Sequence, residues 1–194
     1  MEKSALEKLR KDIVFSDTLC GHAFVFHTTW GLFSPREVDE GTKLLLKYIE
    51  VTADANCLDL GCGYGAIGLT LAKLAPDGQT TLVDKDFVAI DYAKKNAQHN
   101  NINNVDIKLS NGLAQVTANQ FDIVASNIPA KVGNELMSIF FFDAYEKMSQ
   151  DGKIYVVTIN GLRDYIKRTF NDIFGNYKKL KQGKNYTISM AVKN

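Results

Sequence analysis

The stretch Leu58-Asp59-Leu60-Gly61-Cys62-Gly63-Tyr64-Gly65-Ala66-Ile67-Gly68 constrains this chain more than any other. A short apolar run ends in glycines and passes into Ile67, Leu69, Leu71 and Leu74, which reads as strand, tight turn and helix. Glycines at alternate positions allow the turn and let a ligand lie directly against the backbone. The helix that follows offers the unpaired N–H groups of its first turn to whatever is bound. The unit is therefore expected to be a nucleotide-type cofactor site.

From residue 55 the alternation continues. Strands are expected at residues 57–60, 80–83, 105–109, 121–126 and 153–159, and helices at 66–74, 87–100, 134–148 and 162–174. That order builds βαβ units with right-handed crossovers and a parallel sheet covered on both faces. The end of the chain departs from it. Residues 177–181, a turn at Gln182-Gly183-Lys184-Asn185 and residues 186–192 read as a hairpin that adds an antiparallel strand. Ahead of the alternation, Leu6, Leu9 and Ile13 suggest a short amphipathic helix, and residues 14–33 are rich in aromatic and β-branched side chains. Ser34-Pro35-Arg36-Glu37 carries a helix-start signal, with Ser34 as N-cap, Pro35 first in the helix and Glu37 completing a capping box. That helix is expected to run through Leu44, Leu45 and Ile49. No repeat, linker or low-complexity segment interrupts the chain. One domain is expected, with residues 1–50 as a helical N-terminal segment and 51–194 as the cofactor-binding catalytic core.

At 194 residues, 45% hydrophobic and 23% charged, the chain can bury about 70% of the surface it exposes when unfolded. No apolar run approaches the ~20 residues that span a bilayer, and Met1–Lys8 lacks the apolar core of a secretory leader. Cys20, Cys57 and Cys62 are odd in number and not spaced as CxxC, and His22, His27 and His99 are not at metal-ligand spacing. Reduced thiols, no metal and a cytoplasmic location are the expectation. Residues 161–194 carry eight Lys or Arg against two Asp, which suits a polyanion partner and equally a solvated rim of lysines. Ile139-Phe140-Phe141-Phe142 places three rings in a row, some for the core and the rest open to a dimer contact, so a monomer or a homodimer is expected.

The run Gly63-Tyr64-Gly65-Ala66-Ile67-Gly68 also matches the dinucleotide pattern G-x-G-x-x-G, a weak signal alone. Asp84 closes the second strand at the distance of a carboxylate that accepts both ribose hydroxyls, a contact nicotinamide and S-adenosylmethionine cofactors share. Asp59, two residues before the glycines, would repel a pyrophosphate and attract the cationic methionine end of S-adenosylmethionine. Strand-end Asp residues also cap helices.

Residues 58–65 resemble the glycine-rich motif of class I S-adenosylmethionine-dependent methyltransferases. The form is that of the small-domain group, which includes guanine-N2 methyltransferases of ribosomal RNA and similar archaeal proteins. The resemblance runs from about Trp30 to the C-terminus. It takes in Gly31-Leu32-Phe33-Ser34, Asp39-Glu40-Gly41-Thr42, Ser126-Asn127-Ile128-Pro129 and the closing hairpin. It implies a Rossmann-like α/β fold, a seven-stranded mostly parallel sheet with a C-terminal antiparallel hairpin and helices on both faces, and S-adenosyl-L-methionine as cofactor. Carried over by position, Asp59, Gly61 and Gly63 lie around the methionine moiety, with Cys62, Tyr64 and Gly65 in the same turn. Asp84 holds the ribose, with Lys85 beside the adenine. Asn111, next to Gly112, stands where the family usually has an Asp that bonds the adenine amino group, and its carbonyl oxygen can do the same. Phe33 and Thr42 help close the site, or serve core packing and helix capping.

Asn127-Ile128-Pro129-Ala130 resembles the Asn-Pro-Pro-aromatic motif of amine-directed methyltransferases. The lone pair of a guanine or amide amine is delocalised and a poor nucleophile. The Asn side-chain oxygen and the carbonyl of Ile128 can each accept one N–H, aiming the lone pair at the sulfonium methyl, while Pro129 fixes one φ. Attack leaves an acidic cationic nitrogen, so no strong base is needed. Ile128 replaces the first proline, and Ala130 removes the ring that stacks on the base, leaving Trp30, Phe26 or Tyr64 to replace it. Asn-Ile-x-Ala also resembles the motif of ribosomal-protein lysine methyltransferases, and Asn127 also fits a polar turn residue ending a strand. The resemblance implies methylation of an exocyclic amine, guanine N2, in structured rRNA or tRNA. Methylation of a protein amine or small molecule, a non-enzymatic RNA- or partner-binding module and a nicotinamide oxidoreductase remain open beside it.

Overall fold

The computed structural model describes residue 9 and residues 11–118, 120–128 and 133–194. In chain order its elements are β1 (Ile13–Leu19), β2 (His22–Thr28), α1 (Glu40–Leu46), β3 (Cys57–Leu60), α2 (Ala66–Leu74), β4 (Thr80–Asp84), α3 (Phe87–His99), β5 (Val105–Leu109), β6 (Phe121–Asn127), α4 (Asn134–Lys147), β7 (Met148–Ile159), α5 (Arg163–Phe174), β8 (Lys178–Gln182) and β9 (Tyr186–Val192). One sheet has seven strands in the order β5-β4-β3-β6-β7-β9-β8. The strands β3 to β7 pair in parallel, and β9 runs antiparallel to both β7 and β8. This is the mostly parallel α/β sheet, with its terminal antiparallel hairpin, that the alternation and the resemblance imply.

β3 is buried along its whole length, as a strand covered on both faces must be. Successive residues feed opposite layers. Cys57 joins a core with Leu82, Ile123 and Tyr155 under α1, α2 and α3. Leu58 and Leu60 join Val124, Ile154 and Val156 under α4 and α5. The row of rings on α4 is divided. Phe141 is buried edge-on against Phe170 at 5.1 Å, and Ile139 and Phe142 are exposed. The chain runs outward from β3 through β4 to β5, then crosses back to lay β6 on the other side of β3. That reversal opens a crevice at the C-terminal ends of β3 and β6. No described helix is long and apolar enough to cross a membrane.

The structure differs from the sequence reading mainly before β3. Ile13 starts a strand, and β1 with β2 forms a separate antiparallel hairpin; residues 1–8 and 10, where the expected first helix falls, lie outside the described residues. Ser34 does not cap a helix. Its φ of 47° is left-handed, whereas an N-cap needs extended backbone, and its hydroxyl donates to the Glu37 carbonyl. The helix starts later, at Glu40, capped by Asp39, whose carboxylate accepts the Thr42 N–H at 3.2 Å. It ends at Leu46 instead of continuing through Ile49. β7 begins at Met148 instead of 153, because Met148 pairs with Phe121 ahead of an irregularity in the ladder.

The hairpin docks through two asparagines one turn apart, Asn96 on α3 and Asn100 as its C-cap. Asn100 accepts the Val25 N–H and donates to the Val25 carbonyl, at 2.9 and 2.8 Å. Asn96 does the same for His27, at 2.7 and 2.9 Å, and also donates to the Tyr64 carbonyl. Each amide presents one donor and one acceptor, as a neighbouring strand would, so the free edge of β2 is satisfied by side chains. Asn96 is fully buried.

Asp59 is placed by the same need. It lies on β3 under the first turn of α2, and its Oδ2 accepts the Gly68 N–H at 2.7 Å. Its Oδ1 has no partner among the described residues. Burial pushes the Asp59 carboxyl up to about 7, against the Gly68 hydrogen bond that lowers it. A raised folded-state pKa means that the native state holds a proton the unfolded chain releases near pH 4. The contribution of Asp59 to stability is therefore complete below pH 4, falls between pH 4 and 7 and is level above.

Two outcomes are expected. Denaturant titrations of Asp59→Asn against wild type should show their stability difference shifting by about 3–4 kcal/mol in favour of the variant between pH 4 and pH 7; a pH-independent difference would remove Asp59 as the titrating group. Asn96→Ala strands three backbone groups and should cost roughly 3 kcal/mol, seen as a Tm lowered by about 6–12 °C.

Candidate active site

The crevice at the strand ends is a cavity of about 430 Å³. Its floor is the glycine turn. Gly61 and Gly63 have φ of 78° and 55°, and a side chain at either would project into open space. The backbone there is thus bare toward the cavity. The turn is anchored on β4, because the N–H groups of Gly61 and Cys62 both donate to the Val83 carbonyl at 2.9 Å. Asp84, the last residue of β4, completes the anchoring. One carboxylate oxygen accepts the Gly63 N–H and the other the Asp86 N–H, both at 2.9 Å. An ionised carboxylate has about four acceptor positions, so each oxygen keeps capacity toward the cavity that Asp84 lines.

Opposite the glycines, β6 ends at Asn127. Its Nδ2 donates to Asp39 Oδ2 at 3.0 Å and to Thr42 Oγ1 at 2.9 Å. The orientation of the amide follows from chemistry, since an ionised carboxylate cannot donate and the atom facing it must be the NH2. Asp39 is a hub. Its Oδ2 also takes the Thr42 N–H, and its Oδ1 accepts the Tyr186 hydroxyl at 3.1 Å. Gly41 makes room for this meeting, as a Cβ there would lie 2.8 Å from Asp39 Oδ2 and 3.1 Å from the Tyr186 ring. Ile128 is held by its N–H, which donates to the Val157 carbonyl at 3.1 Å.

Most of the residues named from the sequence share this cavity: Phe33, Thr42, Gly61, Cys62, Gly63, Tyr64, Asp84, Lys85, Asn111, Gly112, Asn127 and Ile128 all line it. Asp59 and Gly65 stand behind the wall. Asp59 is buried under α2, and the face of Gly65 where a side chain would go packs on Leu69. Pro129 and Ala130 lie outside the described residues. Of the rings suggested for stacking on a base, Phe26 is wholly in the core. Tyr64 is buried with its hydroxyl on the Glu37 carbonyl, and burial pushes its phenol pKa up. Trp30 is exposed, but its face carries the Arg36 guanidinium at 4.7 Å. Phe33, 63% exposed and on the cavity wall, is a ring open to a ligand.

The sequence reading missed Asp39 and Tyr186 as site residues, together with the opposing wall of Leu136, Met137 and Phe140 from α4. Gly112 gives Phe140 its place, since a Cβ there would fall 2.4 Å from the ring. Asp39 had a signal, the Asp-x-x-Thr spacing of an N-cap. Tyr186 had none, because its partner lies 147 residues away.

Comparison with known proteins agrees with this geometry. The family model described as methyltransferase small domain matches residues 23–190. YbxB of Bacillus subtilis (strain 168) is 30% identical over 174 residues, covering 88% of this chain and 86% of that protein. Ribosomal RNA small subunit methyltransferase C of Buchnera aphidicola subsp. Baizongia pistaciae (strain Bp) is 30% identical, covering 86% of this chain and 52% of the relative. The chain thus spans about half the length of that enzyme. Among solved structures, the T. thermophilus 16S rRNA N2 G1207 methyltransferase in complex with AdoMet and guanosine superposes with a TM-score of 0.85 at 26% identity, over 93% of this chain and 50% of that one. A methyltransferase from Pyrococcus furiosus, 23% identical with a TM-score of 0.69 over 85% of this chain and 90% of that one, shares the fold. With the family model spanning nearly the whole chain, and the glycine turn facing Asn127 across one cavity, the protein belongs to the methyltransferase small domain family.

Proposed function

We propose that the protein transfers a methyl group from S-adenosylmethionine to the N2 amine of a guanine in RNA. The observation that carries this reading is Asn127. Both N–H groups of its amide are taken by Asp39 and Thr42, so its carbonyl oxygen, which has no partner among the described residues, is the end left for a ligand in a cavity whose floor is the glycine turn.

The residues present suit the cofactor. The bare backbone at Gly61 and Gly63 admits close approach, and Asp84 offers acceptors to a pair of vicinal hydroxyls. The first turn of α2 is less suited to a pyrophosphate, because its Gly68 N–H is already occupied by Asp59. Lys85, Asn111 and Gly112 would surround the adenine. When bound, S-adenosylmethionine supplies an electrophilic methyl group on a sulfonium. The chain's part is to orient the acceptor. Asn127 Oδ1 and the Ile128 carbonyl would each take one N–H of the target amine, leaving the nitrogen lone pair facing the glycine turn. The cationic nitrogen that results loses its proton to water, so no protein base is required. Phe33 would stack on the base, which has to be unpaired or flipped to enter.

RNA as substrate draws on the neighbours' printed activities and on charge. Lys181 and Lys184 are exposed on the β8–β9 hairpin. That hairpin is held beside the cavity wall by Asn160, whose amide donates to the Gly183 and Lys184 carbonyls. Tyr186 at its end lines the cavity.

Unmodified total RNA incubated with the protein and labelled S-adenosylmethionine, then digested to nucleosides, should yield label in N2-methylguanosine by mass spectrometry. Label in protein only, or in no nucleoside, would overturn the reading. Calorimetry and turnover should separate the two walls. Asn127→Ala should keep cofactor Kd within about twofold and lower kcat roughly 100-fold, while Asp84→Ala should weaken cofactor binding roughly 10- to 100-fold, the loss of two charge-assisted hydrogen bonds.

A further inference from the structure

We infer that Asp39 is a positioning residue that makes the site selective for a nitrogen bearing hydrogens, an inference that rests on the methyl-transfer reading above. An asparagine amide has two faces of opposite character, and little in its shape says which will point outward. Thr42 Oγ1, 2.9 Å from Asn127 Nδ2, does not decide it, because a hydroxyl can accept or donate. Asp39 does. Its carboxylate only accepts, and at 3.0 Å it admits only the NH2 of Asn127. Thr42 is then left to take the second N–H, and Oδ1 is turned to the cavity as a pure acceptor.

The consequence is chemical selection. An acceptor at that position is satisfied by an atom that brings a proton, as a primary amine does. A carbonyl oxygen or an unprotonated ring nitrogen placed there would set lone pair against lone pair. Were the amide reversed, its NH2 would donate to the nitrogen lone pair and tie up the electrons that have to attack. Asp39 also puts a carboxylate in the wall of the cavity in which the nitrogen acquires its positive charge. The surroundings show that Asp39 is held for more than a helix cap. The cap uses Oδ2 alone, yet Tyr186 donates to Oδ1 and Gly41 leaves space for the two to meet.

The test separates the cap from the contact. Asp39→Ser keeps an N-cap hydroxyl for the Thr42 N–H but is too short to reach Asn127. It should lower kcat roughly 30- to 100-fold while leaving cofactor Kd and RNA KM within about twofold. Unchanged kcat, or a loss of turnover matched by an equal loss of cofactor binding, would overturn the inference. Asn127→Ala serves as the comparator. If it stays fully active, the methyl-transfer reading itself fails; if it is inactive while Asp39→Ser is not, only the role of Asp39 fails. A measurement on the wild-type protein guards against a variant that does not fold. The Asn127 Nδ2 protons, assigned by their absence in Asn127→Ala, should give two separate resonances that exchange slowly with water. Exchange as fast as that of a surface asparagine would overturn the inference.

Discussion

The hydrogen bond from the Gly68 N–H to the buried Asp59 carboxylate fixes the geometry around which the cavity is built. It ties the first turn of α2 to the central strand and so sets where the glycine turn sits above the sheet. Gly68 has to be glycine for this to happen, because a Cβ would fall 2.4 Å from Leu82. Gly61 and Gly63 adopt left-handed backbone on the floor of the crevice, and the cavity opens in front of them. The cost is a carboxylate sealed from water, with one oxygen unpartnered among the described residues and its pKa pushed up to about 7.

The same device recurs where the chain has to reverse or dock. Asp84 takes the backbone N–H groups of Gly63 and Asp86, Asp39 that of Thr42, and Asn96 and Asn100 pair the edge of β2. Short polar side chains thus satisfy the backbone groups that regular structure leaves over. At the site this economy has a functional side. Asp84 and Asp39 are immobilised by backbone donors, and each retains acceptor capacity for a second partner. For Asp84 the second partner would be a cofactor; for Asp39 it is Asn127.

The cavity is asymmetric in a way that fits two ligands meeting. One side is bare backbone and carboxylate, suited to a polar molecule lying flat. The other carries the Asn127 amide, and the apolar wall of Leu136, Met137 and Phe140 closes the cavity against Gly112. The hairpin bearing Lys181 and Lys184 stands next to this second side, tied to Asn127 through Tyr186 and Asp39.

The α/β sheet, the glycine turn and the location of Asp84 and Asn127 were legible in the residues alone, because these are local. A strand of four apolar-rich residues, glycines at alternate positions and an amphipathic helix each follow from residues within a few positions of one another. β3, β5 and α2 accordingly begin and end where the spacing predicts. The hairpin β1–β2 and the late start of α1 were not legible, because the first is stabilised by asparagines 69 and 75 residues away and the second is decided by Ser34 adopting left-handed backbone. Packing was needed to set Asp59 behind the cavity wall, to leave Phe33 exposed where Phe26 and Tyr64 are buried, and to bring Asp39 and Tyr186 to Asn127. Each of these depends on groups 85 to 147 residues apart, or on which face of a strand is sealed. Periodicity places a residue on an element. Which of its atoms are already bonded, and hence which remain free for chemistry, is settled when the elements pack.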